Sequence, residues 1–244
     1  MKIQTALVTG AARGLGFEFC RQLGKAGKSV ILTARNEESG LEAARQLSEE
    51  GYDIHFRLLD VSDERSVEAL ARQLEEDFDA LDLLINNAGV NSKSSGNEED
   101  FLKNFKLSEL DPAHVLEMIR TNSIAPIIMA KHMLPMLRKS RNPRVMNVSS
   151  WLGSITDKQN GGNYSYCASK AALNMLTRTF AYDVIRDGIT AIMVNPGWVQ
   201  TDMGGSRAKL TTEESVSGLL AIAERLTAGD TGKFYNWDGT RHPF

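Results

Sequence analysis

The sequence is poor in the residues that mark several large classes of protein. It has two cysteines in 244 residues, Cys20 and Cys167, and both fall in segments of helical character rather than in a spaced framework. That usage excludes a disulfide-stapled domain and suits free thiols in a reducing compartment. Four histidines, His55, His114, His132 and His242, are scattered without ligand spacing, so no metal site is expected. No run approaches the ~20 apolar residues needed to cross a bilayer. Met1-Lys2-Ile3-Gln4-Thr5 lacks the sustained apolar stretch of a secretory leader. The expectation is a cytoplasmic protein with no membrane partner. Charge of either sign is also scarce in excess: 28 Lys and Arg stand against 31 Asp and Glu, a net charge of -3. There is no global basic field to hold nucleic acid.

What is present reads as one globular domain over residues 1–244. The 42% hydrophobic content is enough for a sizeable core, and no Pro/Gly/Ser linker, internal repeat or low-complexity tract interrupts it. Short apolar runs rich in β-branched residues lie near 2–9, 28–34, 53–59, 81–86, 143–149, 189–195 and 232–236, with longer helical patterns between them. This alternation predicts an α/β fold, a single-domain, Rossmann-like, doubly wound parallel sheet of about seven strands with helices on both faces. Asp111-Pro112 and Thr211-Thr212-Glu213-Glu214 are helix starts.

Two constellations carry chemistry. Tyr166 and Lys170 are four residues apart in a helical segment, so both side chains project from one face and an ammonium can sit beside a phenol. A neighbouring cation favours the phenolate and makes the phenol a better acid and base near neutral pH. The spacing alone decides nothing, because Tyr182 and Arg186 share it and read as a solvated pair. The second constellation supplies the context: the strand-like Ala6-Leu7-Val8 runs into Thr9-Gly10-Ala11-Ala12-Arg13-Gly14-Leu15-Gly16, and an amphipathic helix follows from Phe17 to Ala26. Strand, glycine turn and helix start together make a site where backbone amides approach a pyrophosphate.

On these residues the chain resembles the short-chain dehydrogenase/reductase family over essentially its whole length. The glycines are spaced Thr-Gly-x-x-x-Gly-x-Gly, and Asp60-Val61, Asn86-Asn87-Ala88-Gly89 and Pro196-Gly197 follow in the family's order. The stretch from Pro196 to Gly205 is similar to the branch containing sniffer-type carbonyl reductases and the C-factor signalling protein. The resemblance implies Tyr166 as proton donor and Lys170 as the partner that holds the nicotinamide ribose and lowers the phenol's pKa. It makes Ser150 the hydrogen-bond donor to the substrate oxygen, and Asn122 the residue that kinks its helix and holds a water beside Lys170. Of the adjacent Ser149 and Ser150, the family pattern takes the second. The cofactor would lie on Gly10, Arg13, Gly14, Leu15 and Gly16, with Asp60 and Val61 at the adenine. Asn87, Ala88 and Gly89 would meet the adenosine ribose, and Pro196, Gly197, Val199 and Thr201 the nicotinamide. Asn86 has an alternative task in stitching strands together.

Charge points to the phosphorylated cofactor. After the second strand the chain offers Thr33-Ala34-Arg35-Asn36, with no acid for the ribose hydroxyls, and Arg13 stands in the glycine turn. Two guanidiniums there suit a 2′-phosphate, hence NADPH. The competing reading leaves Arg13 solvated and pairs Arg35 with Glu37 or Glu38. Trp151 and Trp198 are candidate walls of an apolar substrate pocket, or ordinary core. The polar stretch Val90–Leu110 is either part of the substrate wall or a surface excursion in which Phe101 and Phe105 pin a short helix. The interval between Ser150 and Tyr166 carries Gly161-Gly162-Asn163, an insertion that can reshape the pocket edge. The activity expected is NADPH-dependent reduction of a small hydrophobic aldehyde, ketone, dicarbonyl or quinone. The rival is an NADP(H)-binding regulatory protein of C-factor type with little catalysis. By the same resemblance the expected assembly is a homodimer or homotetramer.

Overall fold

A computed structural model describes residues 3–91 and 98–244. Seven strands form one parallel sheet: β1 Thr5–Val8, β2 Ser29–Ala34, β3 Ile54–Leu58, β4 Leu83–Asn86, β5 Arg144–Val148, β6 Thr190–Asn195 and β7 Phe234–Asn236. Their spatial order is β3-β2-β1-β4-β5-β6-β7. The chain therefore winds outward from β1 to one edge, returns, and winds to the other from β4. The reversal between β1 and β4 opens a crevice at the carboxyl ends of those strands, the place where ligands bind in open α/β sheets. The expected doubly wound, single-domain sheet is what forms, with strands that start one to three residues later than the apolar runs suggested and end at the expected residue or one before it.

Both faces are covered, and the period-2 alternation of the strands divides them. Ala6, Val8, Val30, Leu32, Ile85, Met146, Ile192 and Val194 enter one core with the inner faces of α1 (Gly14–Lys25), α2 (Glu37–Glu49) and α8 (Thr212–Arg225). Leu7, Ile31, Leu84, Val145 and Ala191 enter the other, against α3 (Glu64–Asp77), α6 (Ala125–Lys139) and α7 (Tyr164–Asp183). Such strands are apolar on consecutive residues because neither face meets water.

Local chemistry sets the helix starts. Asp111 caps α5 (Pro112–Ile119) by accepting from Ala113 N at 2.9 Å, with Pro112 in the first turn. Thr211 and Glu214 form a reciprocal capping box on α8. Within 90–110, α4 spans Glu98–Phe105 and a 3₁₀ turn Leu107–Glu109 follows. Phe105 packs against Gly162 of the inserted segment, where an added Cβ would come within 2.8 Å of its ring. The proposed pinning by Phe101 and the stretch 92–97 lie outside the described residues.

Candidate active site

The site is assembled at the carboxyl ends of β1, β4, β5 and β6. Gly10 and Gly14 have φ of +64° and +57°, in the left-handed region that glycine adopts without strain. The turn they make is fastened from β4: Asn87 N and Ala88 N both donate to Thr9 Oγ1 at 3.0 Å, and Asn87 Nδ2 donates to Thr9 O and Gly10 O. Arg13 caps α1 without any side-chain bond to its first amides, whereas α2, α3, α5 and α8 are capped by Asn36, Asp63, Asp111 and Thr211. The first turn of α1 thus keeps donors for an anion, and this fits a dinucleotide pyrophosphate. Asn86 does act as a stitch, donating to Asn147 Oδ1 at 2.8 Å and to Pro126 O.

Four polar residues converge on the other side of the crevice. Tyr166 and Lys170 lie on the inner face of α7, 7% and 5% exposed, with Lys170 Nζ 5.7 Å from the phenol ring centre. Tyr182 and Arg186, of equal spacing, are on the surface. Lys170 Nζ donates to Val148 O at 2.8 Å. Ser149 Oγ donates to Asn174 Oδ1 on α7 at 2.7 Å, which takes the first serine out of the site. The second, Ser150, stays in the site, within hydrogen-bonding reach of the Tyr166 hydroxyl. Asn122 sits in a π-helical turn, Arg120–Ile124, between α5 and α6. Its Oδ1 accepts from Val90 N at 2.8 Å, while Nδ2 donates to Val90 O and Ser169 Oγ. Gly89 is the spacer between these groups: a Cβ on it would lie 3.2 Å from Asn122 Oδ1 and 3.7 Å from Lys170 Nζ.

Burial sets the protonation of the pair. The phenol of Tyr166 is pushed up to about 12 by burial, with the Ser150 hydrogen bond pulling the other way, and burial brings the Lys170 ammonium down to about 8. In the polypeptide alone burial outweighs the hydrogen bond that favours the phenolate. It desolvates both groups, which holds the proton on the phenol and makes the ammonium easier to deprotonate.

The remaining expected residues divide. Val199 is buried, and Thr201 Cγ2 is 3.6 Å from the place a Cβ of Gly14 would take, so the segment after Pro196-Gly197 reaches the glycine turn. Asp60 accepts from Ser62 N and Oγ, which lowers its pKa, and Val61 packs on the core. Arg35 is exposed and close enough to Asp60 to contribute to that lowering, and it makes no ion pair with Glu37 or Glu38 among the described residues. Arg13 instead pairs with Asp202 at 2.8 Å, so it is not simply solvated. Trp151 and Trp198 are both about half exposed, 48% and 47%, so neither is core.

Two residues of the site carried no signal in the sequence. Met203 Sδ is 4.0 Å from Tyr166 Oη, on the segment that follows Pro196-Gly197. Asn195 Oδ1 accepts from Trp151 N and Gly197 N, both at 3.1 Å, and so ties the serine loop to the Pro-Gly loop. Among the described residues no cluster could hold a metal ion and no helix is long and apolar enough to cross a membrane.

Residues 4–211 match the family model described as short chain dehydrogenase. The chain is 37% identical to C-signal of Myxococcus xanthus over 164 residues, 67% of this chain and 93% of that protein. Two solved structures superpose over the full length of both chains with a TM-score of 0.89. They are the NADPH-bound carbonyl reductase from chicken fatty liver, 32% identical, and the carbonyl reductase Sniffer of D. melanogaster, 29% identical. These matches bear out the resemblance read from the motifs, including its branch.

Proposed function

The chain belongs to the short-chain dehydrogenase family of oxidoreductases, and from that premise we propose that it is an NADPH-dependent carbonyl reductase. The observation that carries this reading is the meeting of Ser150 and the Tyr166 hydroxyl in a desolvated site beside Lys170. A protein that only bound a nucleotide would have no use for a buried phenol and a serine hydroxyl aimed at one point.

The reduced nicotinamide supplies the hydride. The glycine turn, Gly10 to Gly16, would hold the pyrophosphate, with Arg13 and Arg35 on the 2′-phosphate. Asp60, Val61, Asn87, Ala88 and Gly89 would flank the adenosine, and Pro196, Gly197, Val199 and Thr201 the nicotinamide end. Ser150 Oγ donates to the substrate oxygen and stabilises negative charge as it develops, in a site where water screens little. Tyr166 Oη gives its proton to that oxygen, and Lys170 holds the ribose side and supports the phenolate left behind. Asn122 is a positioning residue, fixing the loop after β4 against α7. The substrate would be a small hydrophobic aldehyde, ketone, dicarbonyl or quinone, received against Trp151, Trp198 and the Met203 thioether. NADPH consumption over a panel of such carbonyls tests the reading. Tight NADPH binding with no turnover of any of them would favour the regulatory alternative that the similarity to C-signal raises.

Stability exposes the functional purpose of Lys170. A depressed ammonium disfavours the folded state, so Lys170→Met should melt no lower than wild type at pH 7 while losing reductase activity. The folded lysine releases its proton near 8 and the unfolded one near the ordinary lysine value of 10.5. Between these values the unfolded chain holds more protons, and wild-type stability rises with pH. The melting difference between variant and wild type should therefore shrink from pH 8 to 10. A gap that widens would contradict this electrostatic account.

The reading extends to a cytoplasmic homodimer or homotetramer. On α7 the residues Tyr164, Ala168, Met175 and Tyr182 fall on one outward face, and Met175 is 67% exposed. Leu116 on α5 is equally open. Light scattering should return a mass of at least two chains, and a monomer would remove the oligomer from the reading.

A further inference from the structure

The segment from Trp198 to Leu210 spans the crevice and touches both of its ends. Toward the glycine turn, Thr201 packs beside Gly14, and Asp202 Oδ2 pairs with Arg13 Nη1 at 2.8 Å. Toward the chemistry, the next residue, Met203, places its sulfur against the Tyr166 hydroxyl. The segment is internally tied, so the three residues move together. Trp198 Nε1 donates to Gly204 O at 2.8 Å, Gly204 N to Thr201 Oγ1 at 3.1 Å and Gly205 N to Thr201 O at 2.8 Å. A Cβ on Gly204 would overlap Val199 O, which holds the turn to its present shape.

Resting on the NADPH reading above, we propose that Asp202 is a built-in competitor for the 2′-phosphate. It holds Arg13 in the free protein and yields it to the phosphate, and this exchange loosens the segment that carries Met203 against Tyr166. Arg13 can serve one anion at a time well. A dianionic phosphate outbids a single carboxylate for a guanidinium. The side chains of Arg13 and Asp202 are 76% and 68% exposed, so the pair is weak and readily exchanged. Asp202 is thereby a positioning residue: it acts on the substrate place through Met203 and on the cofactor through Arg13. The unphosphorylated cofactor has no group to take Arg13 from it.

Calorimetric titration of NADPH and NADH into wild type, Asp202→Asn, Arg13→Ala and the double variant tests the exchange. The Asn variant should bind NADPH roughly two- to fivefold more tightly, the range expected for release from an exposed ion pair, with NADH unchanged. In the Arg13→Ala background the same substitution should give no gain. Without cofactor, trypsin should cut Asp202→Asn after Arg207 or Lys209, both exposed in the segment, faster than it cuts wild type. An unchanged NADPH affinity, an equal gain for NADH, a gain that survives loss of Arg13, or equal cleavage would overturn the proposal. Failure of the NADPH reading itself would look different: wild type and Arg13→Ala would bind NADPH equally weakly.

Discussion

Tyr166→Phe will lower kcat/KM for carbonyl reduction by roughly 10²–10⁴-fold, the usual worth of a positioned general acid, while NADPH affinity and melting temperature stay close to wild type. The dissociation of activity from stability follows from what the hydroxyl touches. Its contacts are the Ser150 side chain and the Met203 sulfur, and neither secures the fold. The ring itself is retained, so α7 keeps its packing. The size of the loss follows from burial. A phenol held up at about 12 keeps its proton through the neutral range, so it is poised as a donor. Tyr182→Phe is the control, since that tyrosine has the same relation to a cation four residues on but sits in solvent. Steady-state kinetics on the most reactive carbonyl of the panel decides the matter. A Tyr166→Phe enzyme within tenfold of wild type would remove Tyr166 from the proton-donor role.

Gly16→Ala should be the most damaging single methyl in the cofactor half. The added Cβ would overlap Gly10 O and lie 2.6 Å from Asn87 Nδ2 and 2.8 Å from Ala11 Cα. None of these can retreat cheaply. Gly10 and Ala11 are backbone in a turn held by Ala11 N donating to Thr33 O, and the Asn87 amide is held by Thr9 O and Gly10 O. Overpacking of this kind costs about 1–3 kcal/mol, which in a chain of this size lowers the melting midpoint by roughly 2–12 °C. The strain falls on the turn that presents amides to the pyrophosphate, so NADPH binding should weaken by at least about tenfold, some 1.4 kcal/mol. Gly27→Ala supplies the comparison, because no atom lies within 4 Å of its Cβ position. Thermal melts and cofactor titration check both. A Gly16→Ala protein that melts and binds like wild type would show that the turn is slack.

How much of this was legible in the sequence depended on how local the cause was. Strand positions, the glycine turn and the caps at Asp111 and Thr211 could be read because each is set by residues within a few positions of one another. Ser150 follows from the family pattern, whereas the engagement of Ser149 by Asn174, 25 residues on, needed the fold. The desolvation of Tyr166 and Lys170 was not legible in their spacing. Sequence shows the neighbouring charge but not the desolvation that outweighs it.

By itself the sequence determined the architecture and the placing of Tyr166 and Lys170 on one helix face. Continuous short apolar runs between amphipathic helices are satisfied by a parallel sheet covered on both faces, and an i, i+4 pair shares a helix face wherever the helix goes. The tertiary structure alone decided which loop meets which. Met203 against Tyr166, Asp202 against Arg13 and Asn195 between the serine and Pro-Gly loops join residues 37, 189 and 44 positions apart. No short-range pattern encodes such meetings. They arise because parallel strands bring all their carboxyl-end loops to one edge of the sheet, where residues distant in the chain become neighbours.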